Sequence, residues 1–269
     1  MLEKLENELK NKGCSQKTVD SYMLHNNDFL KFINKEPEKV EEQDIKNYLS
    51  HLTTTKKYKP RSVNLALAAV KFYFYNIMNK KVMENIKLPK IDKKQPISLT
   101  KDEVKQLINS LNNPKHKLLL RLMACSGLRV GEAITLKISD VNLDDKTVKV
   151  KSDNGKERIT ILSEKTINNL KEYLAKRQDK NPYLFHVRDT HVSIKLPQKI
   201  IKSAARKSNL NKRIFCQALR SSFSNILLEN GLNSRYLKSL LGNSNSDNPI
   251  YSKMMFDELK KIKNPLEDI

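Results

Sequence analysis

The stretch from Gln217 to Tyr251 constrains this chain most, because two apolar rows at helical spacing are each cut off by a glycine. Phe223, Ile226, Leu227 and Leu228 recur until Gly231, and Tyr236, Leu237, Leu240 and Leu241 repeat the pattern until Gly242. A glycine closing such a row suits the left-handed residue that ends a helix. The spacing predicts two short helices, with Arg220 at the start of the first and Tyr251 beyond the second. Taken alone, this is equally the pattern of a two-helix packing unit with a surface arginine and an ordinary tyrosine.

A second stretch, Ala124-Cys-Ser-Gly-Leu-Arg-Val-Gly-Glu132, has the same grammar. Leu118 to Met123 is apolar enough for a buried helix, Gly127 supplies the turn, and a further helix starts with Arg129 at its head and Glu132 one turn on.

Charge says what such arginines could meet. Lys and Arg total 51 against 30 Asp and Glu, a formal net charge of +21, which favours a polyanionic partner, DNA or RNA, over an anionic membrane surface. At 269 residues the chain can hold two modest domains, each with its own core. No stretch reaches the roughly 20 apolar residues of a membrane span, and the charged amphipathic start at Met1 is unlike a signal peptide, so a cytoplasmic location is expected. Cys14, Cys125 and Cys216 are far apart and lack histidines at ligand spacing. Neither disulfides nor a metal site is expected, and Cys125 reads as a small buried apolar residue.

From Met1 to about Asn79 the periodicity predicts four helices, the second capped by Ser15 and the fourth opened by Pro60. Lys56, Lys57, Lys59 and Arg61 gather at the head of the fourth. Such a cluster is either a solvated loop or, with the free backbone donors there, a phosphate contact. Lys87 to Pro96, with two prolines and four lysines, reads as a basic linker. Thr100 and Glu103 form a capping box ahead of Val104, Leu107, Ile108 and Leu111. Thr147–Lys151 and Arg158–Leu162 alternate about an Asn154-Gly155 turn, predicting a hairpin whose cations are Lys151, Lys156 and Arg158. Amphipathic helices are predicted over 163–177 and 198–208, and the isolated His186 and His191 between them read as structural or exposed.

Together the Gly127-Leu-Arg-Val-Gly-Glu132 box, the Gln217-Ala-Leu-Arg-Ser-Ser-Phe223 box, the Leu240-Leu-Gly-Asn243 box and Tyr251 resemble, in order and approximate spacing, the tyrosine recombinases, also called phage integrases, with the interval from Asn243 to Tyr251 one residue shorter than the family's. Lys59-Pro-Arg-Ser-Val-Asn64 and the Lys260–Asp268 tail look like Xer-type members, so the resemblance covers nearly the whole chain. It implies a mainly helical α+β fold with a small sheet: a core-binding, SAM-like helical domain over 1–86, a linker over 87–97, a catalytic domain over 98–255, and a tail over 256–269 exchanged between protomers or docked on its own domain.

The resemblance also implies a site-specific recombinase that joins Tyr251 to a DNA 3'-phosphate, with Arg129 and Arg220 stabilising the phosphate charge and Glu132 in support. No cofactor is implied. The implied partners are double-stranded DNA, touched by Lys56, Lys57, Lys59 and Arg61, and a homotetramer or a partner recombinase on paired sites. The chain departs from the family where Gln217 replaces histidine, Asn243 replaces histidine or tryptophan, and Asp153 replaces the hairpin lysine. Lys151 or Lys156 could take over that lysine's acid role. The alternative is a recombinase-derived DNA-binding protein that no longer cleaves.

Overall fold

A computed structural model describes residues 2–83, 86, 95–152, 155, 157–242 and 264–267. They form two compact units, 1–94 and 95–269, each with its own buried core. Residues 87–94 of the predicted linker lie outside the described residues. The mainly helical character with a small sheet is as the sequence implies.

The first unit holds α1 (Leu2–Asn11), α2 (Gln16–Ile33), α3 (Glu42–Thr54) and α4 (Pro60–Asn76). Their ends follow local chemistry. The Ser15 hydroxyl accepts from the Thr18 amide at 3.3 Å to start α2, and Pro60 opens α4 where its missing N–H leaves no helix bond unmade. Phe29 of α2 meets Tyr48 of α3 edge-on at 5.2 Å and Phe74 of α4 at 6.0 Å, all three buried. Asn26, also buried, donates to the Ala69 carbonyl at 3.0 Å and so ties α2 to α4.

The second unit is built round α6 (Pro114–Ser126), whose residues from Leu118 to Ser126 are all buried. A helical stretch buried on every side, Arg121 included, must be enclosed by other elements. Around it pack α5 (Lys101–Asn109), α8 (Glu164–Ala175), α9 (Lys195–Lys207) and α10 (Cys216–Glu229). The Thr100–Glu103 capping box starts α5 with both of its reciprocal bonds, at 3.2 and 2.9 Å. A short α7 (Val130–Thr135) follows α6, and α11 (Ser234–Leu241) follows α10. Strands β1 (Val141–Asn142), β2 (Thr147–Lys151) and β3 (Glu157–Ile161) form an antiparallel sheet in that order, while β4 (His186–Val187) pairs with β5 (Thr190–His191).

The hairpin corrects one expectation. A two-residue turn at Asn154-Gly155 would set Lys151 opposite Arg158. Instead the Gly155 amide donates to the Ser152 carbonyl at 2.9 Å, and the register pairs Lys151 with Glu157 and Val150 with Arg158. Cross-strand partners share a face, and a one-residue shift exchanges faces. Arg158 therefore joins Val150, which is 2% exposed, on the inner face. Leu228 is a second correction: it is 44% exposed, on the outer side of α10, because Phe223, Ile226 and Leu227 already fill the inner one.

Of the tail, Asn264 to Glu267 forms a turn seated on the second unit. Asn264 donates to the Cys125 carbonyl at 2.8 Å, Leu266 is fully buried, and the Glu267 carboxylate accepts from the Glu164 amide at 2.6 Å. That carboxylate sits at the positive end of α8. Residues 256–263 and 268–269 lie outside the described residues.

Candidate active site

Gly127 sets the geometry of the site. It ends α6 in the left-handed conformation (φ +62°), its amide donating to the Met123 carbonyl at 3.1 Å. A Cβ there would fall 2.5 Å from the Phe223 ring, so only glycine allows α10 to come this close. The chain then turns into α7 with Arg129 at the capping position and Glu132 at its third residue. The Glu132 carboxylate accepts from the Arg129 amide at 2.6 Å and from the Arg129 guanidinium at 2.9 Å.

Two further arginines converge on the same carboxylate. Arg158, reaching in from β3, gives Nη1 and Nη2 to the two Glu132 oxygens at 2.6 and 2.7 Å, and its Nε to the Leu240 carbonyl at 2.9 Å. Arg220 of α10 lies with Nη1 3.9 Å from Glu132, and it donates to the Gly127 carbonyl at 2.7 Å and the Leu241 carbonyl at 2.6 Å. Three guanidiniums thus surround one carboxylate. Two of them also hold the last carbonyls of α11, the negative end of that helix.

Charge follows from this arrangement. Burial is the largest influence on Glu132 and would raise its pKa, but the bonds from Arg158 and the Arg129 amide, with the charge of Arg158 and the bond from the Arg129 guanidinium, outweigh it and hold the group down at about 2. Arg220 falls to about 10, through burial first and then repulsion from Arg129 and Arg158, partly offset by Glu132. The cluster carries a net positive charge. Its Arg129 side chain is 46% exposed, whereas those of Arg158 and Arg220 are nearly covered.

Arg129 opens onto a cleft of about 1500 Å³ between the head of α7, the hairpin end, α9 and the start of α10. Lys202, Arg206, Lys212 and Arg213 also line it, and Arg213 lies over the exposed Phe215 ring at 5.2 Å. A cleft with this lining suits a polyanion.

The sequence-predicted residues divide unevenly. Arg129, Glu132 and Arg220 come together, and Gln217 is exposed on the cleft wall in the first turn of α10. Lys151 is exposed at the end of β2 but does not line the cleft, which its neighbour Ser152 does. Asp153, Lys156, Asn243 and Tyr251 lie outside the described residues. Lys56, Lys57, Lys59 and Arg61 are exposed around the head of α4 in the first unit. Among the described residues no His, Cys, Asp and Glu cluster could hold a metal, and no helix is long and apolar enough to cross a membrane. Sequence reading named Arg158 only as a hairpin cation and missed its bond to Glu132, as it missed the cleft-lining Lys202, Arg206, Lys212 and Arg213. Pairing Arg158 with the apolar Val150 in the hairpin register would have placed it inward.

Comparison with known proteins places this geometry. The phage integrase family matches residues 98–251, and the phage integrase N-terminal SAM-like domain matches 1–84. The tyrosine recombinase XerA of Pyrococcus horikoshii is 33% identical over 267 residues, covering 97% of this chain and 91% of that protein. A crystal structure of XerA recombinase matches with TM-score 0.52 and 29% identity over 95% of this chain and 92% of that one. A lambda integrase dimer bound to a COC' core site matches with TM-score 0.71 over 96% and 94%, and at 20% identity it speaks for the fold alone. With its glycine-set arginine pair, its recombinase fold and relatives matched along nearly their whole length, the chain belongs to the phage integrase family.

Proposed function

We propose that this protein is a site-specific DNA recombinase of the tyrosine type, cleaving and rejoining duplex strands through a 3'-phosphotyrosyl link. The observation that carries the reading is the set of three guanidiniums drawn round Glu132 at the head of a cationic cleft. In this reading the Tyr251 oxygen attacks the scissile phosphorus and the bond to the 5'-oxygen breaks. That oxygen takes a proton, and the phenol loses its own. The link conserves the phosphodiester, so a 5'-hydroxyl can later reverse the step on another strand.

Each residue then has a task. Arg129, open to the cleft, meets the non-bridging oxygens as their charge grows, and removing such a donor typically slows the step about 10²- to 10³-fold. Arg220 has two nitrogens bonded to carbonyls and adds its charge and its remaining donors. Gln217 and Asn243 are neutral donors and exchange no protons near neutral pH. The proton for the 5'-oxygen therefore comes from the hairpin, where Asp153 is unsuited. Because Lys151 stands outside the cleft lining, Lys156 is the stronger candidate. Lys56, Lys57, Lys59 and Arg61 hold backbone phosphates from the first unit, and the working assembly is a homotetramer, or one shared with a partner recombinase, on paired sites in the cytoplasm.

The test starts by selecting a preferred duplex from a random library with the full chain and placing a nick beside each candidate phosphate. Wild-type protein should form a complex that survives denaturing electrophoresis, Tyr251→Phe should not, and Lys156→Ala should slow it more than Lys151→Ala. Tight binding of the selected duplex with no covalent product would overturn the reading, as would a product that persists in Tyr251→Phe.

A further inference from the structure

Arg158 has a duty that none of the assigned roles covers. Its side chain is 7% exposed and all three of its nitrogens are engaged, two on Glu132 and one on the Leu240 carbonyl. Glu132 in turn holds the amide and guanidinium of Arg129. On its other flank Arg158 lies against Gly242, where an added Cβ would come within 2.8 Å of the Arg158 Cδ. Gly242 is left-handed (φ +67°), closes α11 and directly precedes Asn243 in the chain. Arg158 itself is the second residue of β3, two positions after Lys156 in sequence.

One guanidinium thus joins three separate pieces of the site: the head of α7, the hairpin and the exit of α11. We propose that Arg158 is a positioning residue, fixing the Arg129 head of α7 and the Leu240–Gly242 end of α11 in one register in the free protein. It touches no substrate and acts through Glu132 and Leu240. Lysine would keep the charge but could not span both partners, because it has one nitrogen where arginine has a planar fork and an Nε. The inference rests on the recombinase reading for its catalytic consequence, but its geometric part concerns the free protein.

Arg158→Lys tests it by two readouts. The first is hydrogen exchange in the free full-length chain. The Arg129 and Gly242 amides should exchange at least about tenfold faster than in wild type, while the Leu122 and Met123 amides in α6 stay protected, a local opening rather than global unfolding. The second is the covalent-complex assay on the selected nicked duplex. At saturating DNA the rate should fall about 10- to 100-fold with affinity unchanged, as a misplaced but intact site requires. Should Arg158→Lys not fold, Gly242→Ala displaces the same side chain from the other side without altering its charge, and the same two amides should loosen. Unchanged exchange at Arg129 and Gly242 overturns the proposal, and so does a uniform rise across α6 and α10, which is the mark of a merely stabilising ion pair. If wild type forms no covalent link, the recombinase reading fails, and hydrogen exchange still decides the role of Arg158.

Discussion

Replacing Glu132 by glutamine keeps the shape of the side chain and removes the charge on which three guanidiniums converge. Its carboxyl, ordinarily near 4.5, is held at about 2 in the folded protein, a difference equivalent to about 3 kcal/mol of stability at neutral pH. Removal of one partner from a buried pair, leaving the other charge uncompensated, gives a similar figure of about 3–5 kcal/mol. The sign fixes the pH dependence. The folded pKa lies below the unfolded one, so the contribution is complete above about pH 4.5 and drains away as the pH falls towards about 2. The stability gap between wild type and Glu132→Gln should therefore be about 3 kcal/mol at pH 7 and roughly half that at pH 3. Other carboxyls held low, such as Glu103, are common to both proteins and cancel in the difference. Because the chain has two units, the assay is urea-dependent proteolysis read on peptides from residues 98–242, which follows the second unit alone. A gap constant between pH 7 and pH 3, or absent at pH 7, would refute the reasoning.

Three further outcomes are expected. Gly127→Ala should destabilise the second unit by about 2–4 kcal/mol in thermal melts, since it adds strain at positive φ to a 2.5 Å approach to the Phe223 ring. DNA affinity should fall with salt by about 0.9 in log affinity per log salt for each phosphate met, and Lys202→Ala and Arg206→Ala should each flatten the measured slope by about that amount; an unchanged slope would remove these residues from the interface. Leu266→Ala should lower stability by about 2–5 kcal/mol, as expected for a fully buried leucine. If the loss depends on protein concentration, the segment belongs on a neighbouring protomer rather than on its own domain.

What the sequence made legible was chemistry that acts over one turn. Ser15, the Thr100–Glu103 box, Gly127 and Gly242 end or start helices through contacts three or four residues away, so their spacing alone places α2, α5, α6 and α11. Arg129 and Glu132 were legible for the same reason. Arg158 was not, because its face depends on a hairpin register fixed by the loop between Lys151 and Glu157, and one residue of difference in that loop turns the side chain from solvent to core. Arg121 was equally hidden: it lies buried within the apolar run of α6 and donates to Asn169 of α8, far off in sequence. The seat of Asn264 and Leu266 beside Cys125 is a contact of the same long-range kind.

The double engagement of Arg220 bears on how variants of this chain should be interpreted. Because it ties the end of α6 to the end of α11 through the Gly127 and Leu241 carbonyls, a lineage drifting away from strand cleavage would still be under pressure to keep it for folding. Arg129 shows no such double duty among the described residues, its guanidinium being half open and bonded there to the carboxylate one turn away. If Arg129 meets the phosphate as proposed, loss of Arg129 with Arg220 intact in natural or engineered descendants would therefore mark abandoned chemistry. An intact Arg220 alone would say only that the domain still folds.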